Sequence, residues 1–292
     1  MDQDWLEQRR RGLGGSDAPA VCGISPWKSP YQVYLEKRGE TEPQEDNEPM
    51  FWGRALEPII RQRYADETGR TVVVPQQSLF HPKIEFMLAS LDGIADGERV
   101  LEVKTARMPT GWGEAGSAEI PDIYMIQVQH YLAVTKLSVA DVATLIGGND
   151  FRIYEVPADT ELQDLIIEKE TAFWKMVQDG TPPDPVSFAD LKQRFGSMSK
   201  AIRVQADQDV LAAIHRLKQI KELIKEEELM KAIIMAALKE ADTLIDGESV
   251  LATWKAGKGA TRFDQKEFQN SNPKLYAQFL KESDPVRRLL IK

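Results

Sequence analysis

Three residues carry the chemistry that this sequence can do: Asp92, then Glu102 and Lys104, in the segments Leu91-Asp92-Gly93 and Leu101-Glu102-Val103-Lys104-Thr105. The second segment alternates like a strand. Leu101 and Val103 then face one side while Glu102 and Lys104 face the other, their side chains separated by about 7 Å along the strand. If Asp92 begins the antiparallel neighbour, its carboxylate converges with that of Glu102, and the backbone carbonyl of Val103 lies between them. Two carboxylates, a carbonyl and water make a hard oxygen site suited to Mg²⁺, with Mn²⁺ able to substitute. Phosphodiester hydrolysis asks for these groups, because negative charge develops on the phosphorus oxygens and a water must be activated in line with the leaving group. Lys104, its ammonium disfavoured beside a divalent cation, is expected to have a lowered pKa and to orient or help deprotonate that water. By composition alone the Asp-x9-Glu-x-Lys spacing is common, and ordinary exposed strand residues satisfy it. Context has to decide.

The elements that must position these groups read as follows. Gly12-Leu13-Gly14-Gly15 is too glycine-rich for a helix interior and forms a loop, after which Ser16-Asp17 offer N-cap side chains to a short helix ending near Gly23. Ser29-Pro30 starts a helix that stops at Gly39, the acidic stretch from Glu40 to Pro49 is a loop, and Gly53 to Thr68 is a third helix burying Leu56, Ile59, Ile60 and Tyr64. From Thr71 the period changes to two, and short β-rich runs from Thr71 to Thr105 predict a mostly antiparallel meander. Helices are expected over Ile120 to Lys136 and from Asp159 to about Gln178, and a hairpin joins Val139 to Ile146 with Phe151 to Val156. Gln205 to Ala241 predicts a long helix, a packing arm rather than a sustained coiled coil. Ser249 to Trp254, short helices around Lys266 and Lys274, and a final strand from Val286 to Ile291 complete a small α/β appendage. The domains expected are 1–190, a linker over 191–204, and a C-terminal arm and appendage over 205–292.

Bulk composition bounds the function. With 42% hydrophobic and 28% charged residues the chain can bury a large core. One cysteine, Cys22, and three histidines exclude a disulfide framework and a Cys-rich metal site. The opening residues lack a signal-peptide apolar run, and no stretch approaches the roughly 18 apolar residues of a membrane span, so a soluble, cytoplasmic protein with no membrane partner is expected. The net charge of −9 rules out coating nucleic acid by bulk attraction. Residues 200–292 carry 17 basic against 14 acidic side chains, whereas residues 1–199 carry 20 against 32. Any DNA contact must come from local patches.

Further segments join the acidic pair in a recognisable order: Trp5 to Arg9, Gly12-Leu-Gly-Gly-Ser16-Asp17-Ala18, Gly23-Ile-Ser-Pro-Trp27, Gly53-Arg-Ala-Leu-Glu57, Ser90-Leu-Asp92-Gly93, and Tyr124-Met-Ile-Gln127-Val-Gln129-His130-Tyr131. In this the sequence resembles the phage lambda-type exonuclease and YqaJ-type viral recombinase family, a branch of the PD-(D/E)xK nucleases. The resemblance covers roughly residues 5–180. It implies an α/β (α+β), restriction-endonuclease-like core, a mixed sheet flanked by helices, to which the long helix and the appendage are added. It implies Asp92 and Glu102 as metal ligands, to which the strand geometry above adds the Val103 carbonyl, with Lys104 as the catalytic lysine and Glu57 as an acidic residue near the metal that binds it through water. Gln127 would contact the active site, and Arg9 with Ser16 would hold a terminal 5′-phosphate. A guanidinium beside glycine-flanked amides at a helix N-terminus makes physical sense as an anion site. The Pro of the superfamily's name is absent; Ser90-Leu91 stands before Asp92.

Each assignment has a plainer counterpart. Glu57 would also be favourable as a first-turn carboxylate. His130 and Tyr131 share a face with Gln127 and could serve packing alone, Arg9 to Arg11 could be a solvated charge run, and Trp27 and Trp52 read as core or rim aromatics. The function implied is a Mg²⁺-dependent 5′→3′ exonuclease on double-stranded DNA ends, phage or prophage encoded, generating 3′ single strands for recombination. A ring-shaped homotrimer and cooperation with a phage single-strand annealing protein are implied with it. An endonuclease or structure-selective repair nuclease on the same fold, and a non-catalytic DNA-binding or assembly module, remain as alternatives.

Overall fold

The computed structural model describes residues 7, 9–41, 46–197, 200–282 and 286–291. Trp5 and part of the acidic loop lie outside them. The chain forms two compact units, Met1–Arg194 and Phe195–Lys292.

The first unit is built on a five-stranded mixed sheet. Its strands are β2 (Val72–Val73), β5 (Gly93–Ala95), β6 (Arg99–Ala106), β7 (Val139–Ile146) and β8 (Asp150–Pro157), in the order β2-β5-β6-β7-β8. The β6–β7 pair is parallel and the others are antiparallel. A second, three-stranded sheet joins β1 (Leu13–Gly14), β4 (Met87–Ala89) and β3 (Leu79–Phe80), with β1 parallel to β4. The runs between Thr71 and Thr105 are therefore shared between two sheets rather than forming one meander. The physical reason is pairing at long range: β4 takes the glycine-rich segment near the N-terminus as its neighbour, so the expected loop at Gly12 to Gly15 contains a strand instead.

Two helices sandwich the main sheet. Helix α3 (Glu48–Thr68) buries Ile60 and Tyr64 against Ala95, Leu101, Val103 and Ala143. Asn47 caps its start by accepting from the Met50 amide, so the helix begins before Gly53. Leu56 is only partly buried, and Ile59 is exposed rather than buried because it falls outside the sheet-facing stripe. On the other face α4 (Asp122–Thr135) packs Val128, Tyr131 and Leu132 into a core with Val100, Val142, Tyr154 and Val156. Alternation along β6 is thus resolved by burial: Leu101 and Val103 serve the α3 side, Val100 the α4 side.

A third core layer holds the N-terminal segment. Leu13 and Ala20 pack with Tyr31, Val33, Tyr34 and Leu35 of α2 (Pro30–Arg38) and with Phe173 and Val177 of α5 (Thr160–Asp179). Ser29 and Gln32 form a reciprocal capping box at the start of α2, and Gly39 ends it in the left-handed region at φ 68°. Asp159 caps α5 as expected. The short helix α1 (Ala18–Val21) has Asp17 at its N-cap, but the carboxylate does not cap it. A further short helix, α6 (Phe188–Phe195), is signalled by Ser187, whose hydroxyl accepts from the Asp190 amide.

In the second unit Asp207 caps the long helix α7 (Gln208–Leu238), of which Leu238 is buried. A hairpin of β9 (Thr243–Asp246) and β10 (Ser249–Thr253) follows, turning through Gly247 at φ 58°, then α8 (Gln265–Ser271) and α9 (Pro273–Gln278). The strand expected over Val286 to Ile291 does not form; those residues pair with no neighbouring strand. Among the described residues, no helix is long and apolar enough to cross a membrane.

Candidate active site

The strand register creates the site. Gly93 faces Leu101 across the β5–β6 pair, so Asp92, one residue earlier, stands at the level of Glu102. The Val103 amide donates to Asp92 Oδ2 at 2.8 Å and pins that carboxylate. Lys104 Nζ donates to Glu102 Oε1, and Gln127 Nε2, arriving from α4, donates to the same oxygen at 2.8 Å. Gln127 Oε1 in turn accepts from Lys104 Nζ at 3.1 Å, which closes a three-membered polar ring. Tyr131 supports it from below by accepting from Gln127 Nε2 at 3.0 Å, and Lys104 Nζ lies 4.9 Å from the centre of the Tyr124 ring.

The electrostatics are those of a site short of positive charge. Burial, and then the charge of Glu102, push the Asp92 carboxyl up to about 8, against the downward pull of Lys104 and the Val103 amide. Glu102 is buried, and its Oε2 has no hydrogen-bond partner. Burial lowers the Lys104 pKa, but Glu102 and Asp92 outweigh it and leave the ammonium above the ordinary lysine value. The lowered value expected from the sequence is that of a lysine beside a divalent cation; beside the two carboxylates alone the shift is upward.

An orphaned, buried carboxylate oxygen next to a second carboxylate with a raised pKa is what a hard cation would satisfy, so the donor set fits a divalent ion. Among the described residues, no cluster of three or more His, Cys, Asp or Glu side chains could hold a metal. The fit therefore rests on Asp92, Glu102, the Val103 carbonyl and water. Glu57 stands apart from this set: Arg61 donates to its Oε1 at 2.8 Å and, with the same nitrogen, to the Asp92 carbonyl at 2.8 Å.

Asp92, Glu102, Val103, Lys104, Glu57, Gln127, Arg9 and Ser16 all line one cavity of about 600 Å³. Arg9 NH2 donates to Ser16 Oγ at 3.2 Å and to Asp17 Oδ1 at 3.0 Å, while the Arg10 guanidinium packs near Gly39. Of the three consecutive arginines, Arg9 is the one that reaches the cavity. Since α1 has only four residues, its dipole adds little to an anion site there, and the guanidinium supplies the charge.

His130 is fully buried away from the cavity, joined to Glu170 Oε1 at 2.8 Å and to the Leu88 carbonyl at 2.9 Å, and serves the packing of α4. Trp27 and Trp52 are surface residues, 70% and 53% exposed, and line no part of this cavity. Sequence reasoning missed Arg61, Asp17 and Lys37. The first was signalled only by its i, i+4 spacing from Glu57; Asp17 was read as a helix cap, and nothing local signals its pairing with Arg9 and Lys37.

A profile of the YqaJ-like viral recombinase domain matches residues 4–138. The protein YqaJ of Bacillus subtilis (strain 168) is 34% identical over 302 aligned residues, covering 99% of this chain and 93% of that one. Among solved structures, an alkaline exonuclease from Laribacter hongkongensis, LHK-Exo, is similar with a TM-score of 0.50 and 22% identity, over 62% of this chain and 94% of its own. Its complex with dAMP is similar with a TM-score of 0.51 and 21% identity, over 66% and 97%. These two likenesses carry the fold. By its near-full-length identity to YqaJ and its matching N-terminal domain, the chain belongs to the YqaJ-like viral recombinase family.

Proposed function

We propose that the protein is a divalent-metal-dependent DNA exonuclease, with Mg²⁺ as the working ion and Mn²⁺ able to replace it, acting 5′→3′ on double-stranded ends. The observation that carries this reading is the convergence of Asp92, Glu102 and Lys104 on one cavity, with a buried carboxylate oxygen left for a cation. Asp92, Glu102 and the Val103 carbonyl would hold the ion, with Glu57 reaching it through water. When bound, the ion supplies electrostatic stabilisation to the negative charge developing on the scissile phosphate and promotes ionisation of the attacking water. The chain's own residues do the rest. The Val103 amide fixes Asp92, Gln127 fixes both Glu102 and Lys104, and the Lys104 ammonium orients the water in line with the leaving oxygen.

In the same cavity Arg9 and Ser16 would hold the terminal 5′-phosphate, the feature that distinguishes an end from internal duplex. The family resemblance adds a ring of three copies, in which encirclement retains DNA despite the net charge of −9. A single-strand annealing protein of phage type would take the 3′ strand in the cytoplasm of a bacterial host.

The test is digestion of linear duplexes with 5′-phosphate or 5′-hydroxyl ends, and of covalently closed circles, in Mg²⁺ and in EDTA. Complete metal dependence, faster digestion of phosphorylated ends and intact circles are expected. Cutting of closed circles would replace this reading with the endonuclease one, and sedimentation showing monomers alone would remove the ring.

A further inference from the structure

Asp17 is nearly inaccessible, yet Arg9, which lines the cavity, is anchored on it. Its Oδ1 accepts from Arg9 NH2 at 3.0 Å, and its Oδ2 accepts from Lys37 Nζ at 2.6 Å and from the Gly14 amide at 3.1 Å. Lys37, itself buried on α2, also donates to the Arg9 carbonyl at 2.8 Å, so the backbone and the side chain of Arg9 are tied to one ion pair. The same Arg9 nitrogen that meets Asp17 also meets Ser16 Oγ. The two cations hold the Asp17 carboxyl well below the usual carboxylate range, against the opposing effect of burial. Its side chain does not cap α1, although it occupies the N-cap position. The carboxylate has instead been spent on gathering Arg9, Lys37 and the Gly14 turn.

From this geometry we infer that Asp17 is a positioning residue for end recognition: with Lys37 behind it, it holds the Arg9 guanidinium beside Ser16 in the orientation that receives a terminal phosphate. One carboxylate between two cations leaves the cluster with a net positive charge, and the cost of burying it is offset by fixing a long, flexible arginine before substrate arrives. The inference rests on the assignment of Arg9 and Ser16 to the 5′-phosphate. A purely structural ion pair would contribute to stability alone. A positioning pair has to appear in discrimination between ends.

The experiment measures KM and kcat on linear duplexes with 5′-phosphate or 5′-hydroxyl ends for the wild type, Asp17→Asn, Arg9→Gln and the double variant. Asp17→Asn is expected to raise KM for phosphorylated ends about tenfold, the loss of one charge-assisted contact, with kcat and the hydroxyl-end KM changed less than about twofold. In the Arg9→Gln background the same substitution is expected to add nothing, since its effect runs through the guanidinium. If the wild type prefers phosphorylated ends and Asp17→Asn keeps that preference, the positioning role is overturned while the phosphate pocket stands. If the wild type shows no preference, the pocket itself is wrong and the role falls with it. Should Asp17→Asn melt below the assay temperature, Asp17→Asn combined with Lys37→Met neutralises both buried partners together, and the same KM comparison decides.

Discussion

Asp92 and Glu102 are two carboxylates drawn together in a partly buried cavity, and the strain of that arrangement is measurable. The Asp92 pKa of about 8 lies above its unfolded value because burial and Glu102 disfavour its charge. A carboxyl raised in this way binds a proton in the folded state that the unfolded chain has already lost, so metal-free stability falls as pH rises from about 4 to about 8. Asp92→Asn is accordingly expected to raise the melting temperature of the protein in EDTA, with the gain largest at pH 8.5 and nearly gone at pH 5, while activity falls by at least about 1000-fold. A melting curve in which the variant is less stable than the wild type at both pH values would refute the repulsion. The same proton has to leave when a cation binds, so calorimetric Mg²⁺ affinity is expected to climb with pH and level off near 8. The acid–acid–lysine set was legible in the sequence because strand alternation is local: Glu102 and Lys104 share a face whatever else the chain does. Arg61 and Lys37 were not, because their roles exist only where distant segments meet. The glycines near the N-terminus illustrate the difference. A Cβ on Gly15 would lie 2.4 Å from the Tyr131 ring, and one on Gly12 would lie 2.3 Å from the Phe86 carbonyl, so close approach, not turn geometry, demands glycine there. Gly15→Ala is expected to cost about 1–3 kcal/mol in urea unfolding, and an unchanged midpoint would contradict the contact.

At the scale of elements, α4 is the member that everything else uses. One face carries Gln127 and Tyr131 to the cavity, and the next carries His130 between Glu170 of α5 and the carbonyl of Leu88 in β4. The His130 ring therefore ties three elements together in the interior, where an unpaired polar partner is costly. His130→Ala leaves Glu170 with neither oxygen satisfied, since its Oε2 already lacks a partner, and is expected to destabilise the fold by about 3 kcal/mol. Single-turnover cleavage by the surviving folded protein is expected to stay within about threefold of wild type, because the ring meets the cavity wall only at the Leu88 carbonyl and the Tyr131 ring and bonds to none of Asp92, Glu102 and Lys104. A loss comparable to that of Asp92→Asn would move His130 into the chemistry. The helices were largely readable from the sequence, since caps such as Ser29 and Asp159 and stops such as Gly39 are written within a few residues of the boundary. Strand partners joined by a short turn, as in the β7–β8 hairpin, were readable too, but distant ones were not. The pairing of Leu13 with Met87 depends on which edges the tertiary core leaves free, and no window of sequence contains that information.

For the whole molecule, charge is distributed unevenly: residues 249–292 carry nine basic side chains against four acidic ones in a protein of net charge −9. Within the second unit, Lys255, Lys258 and Arg262 fall in an irregular, exposed segment after β10, where glycines 257 and 259 leave the backbone free to follow a partner. An acidic protein that handles DNA has to neutralise phosphate somewhere, and contacts of this kind reveal themselves through counterion release, with log K falling by about 0.9 per log unit of salt for each phosphate neutralised. Replacing all three by alanine in the full chain is expected to weaken binding to duplex DNA at low salt and to flatten the salt slope by about 2 to 3. Cleavage chemistry measured at saturating DNA is expected to remain unchanged, because the proposed ion and water groups, Asp92, Glu102 and Lys104, all belong to the first unit. Fluorescence anisotropy from 50 to 300 mM KCl reads the slope directly. An unaltered slope would mean that this basic segment faces solvent or another protein, and that the first unit must carry the phosphate contacts despite 32 acidic residues among positions 1–199.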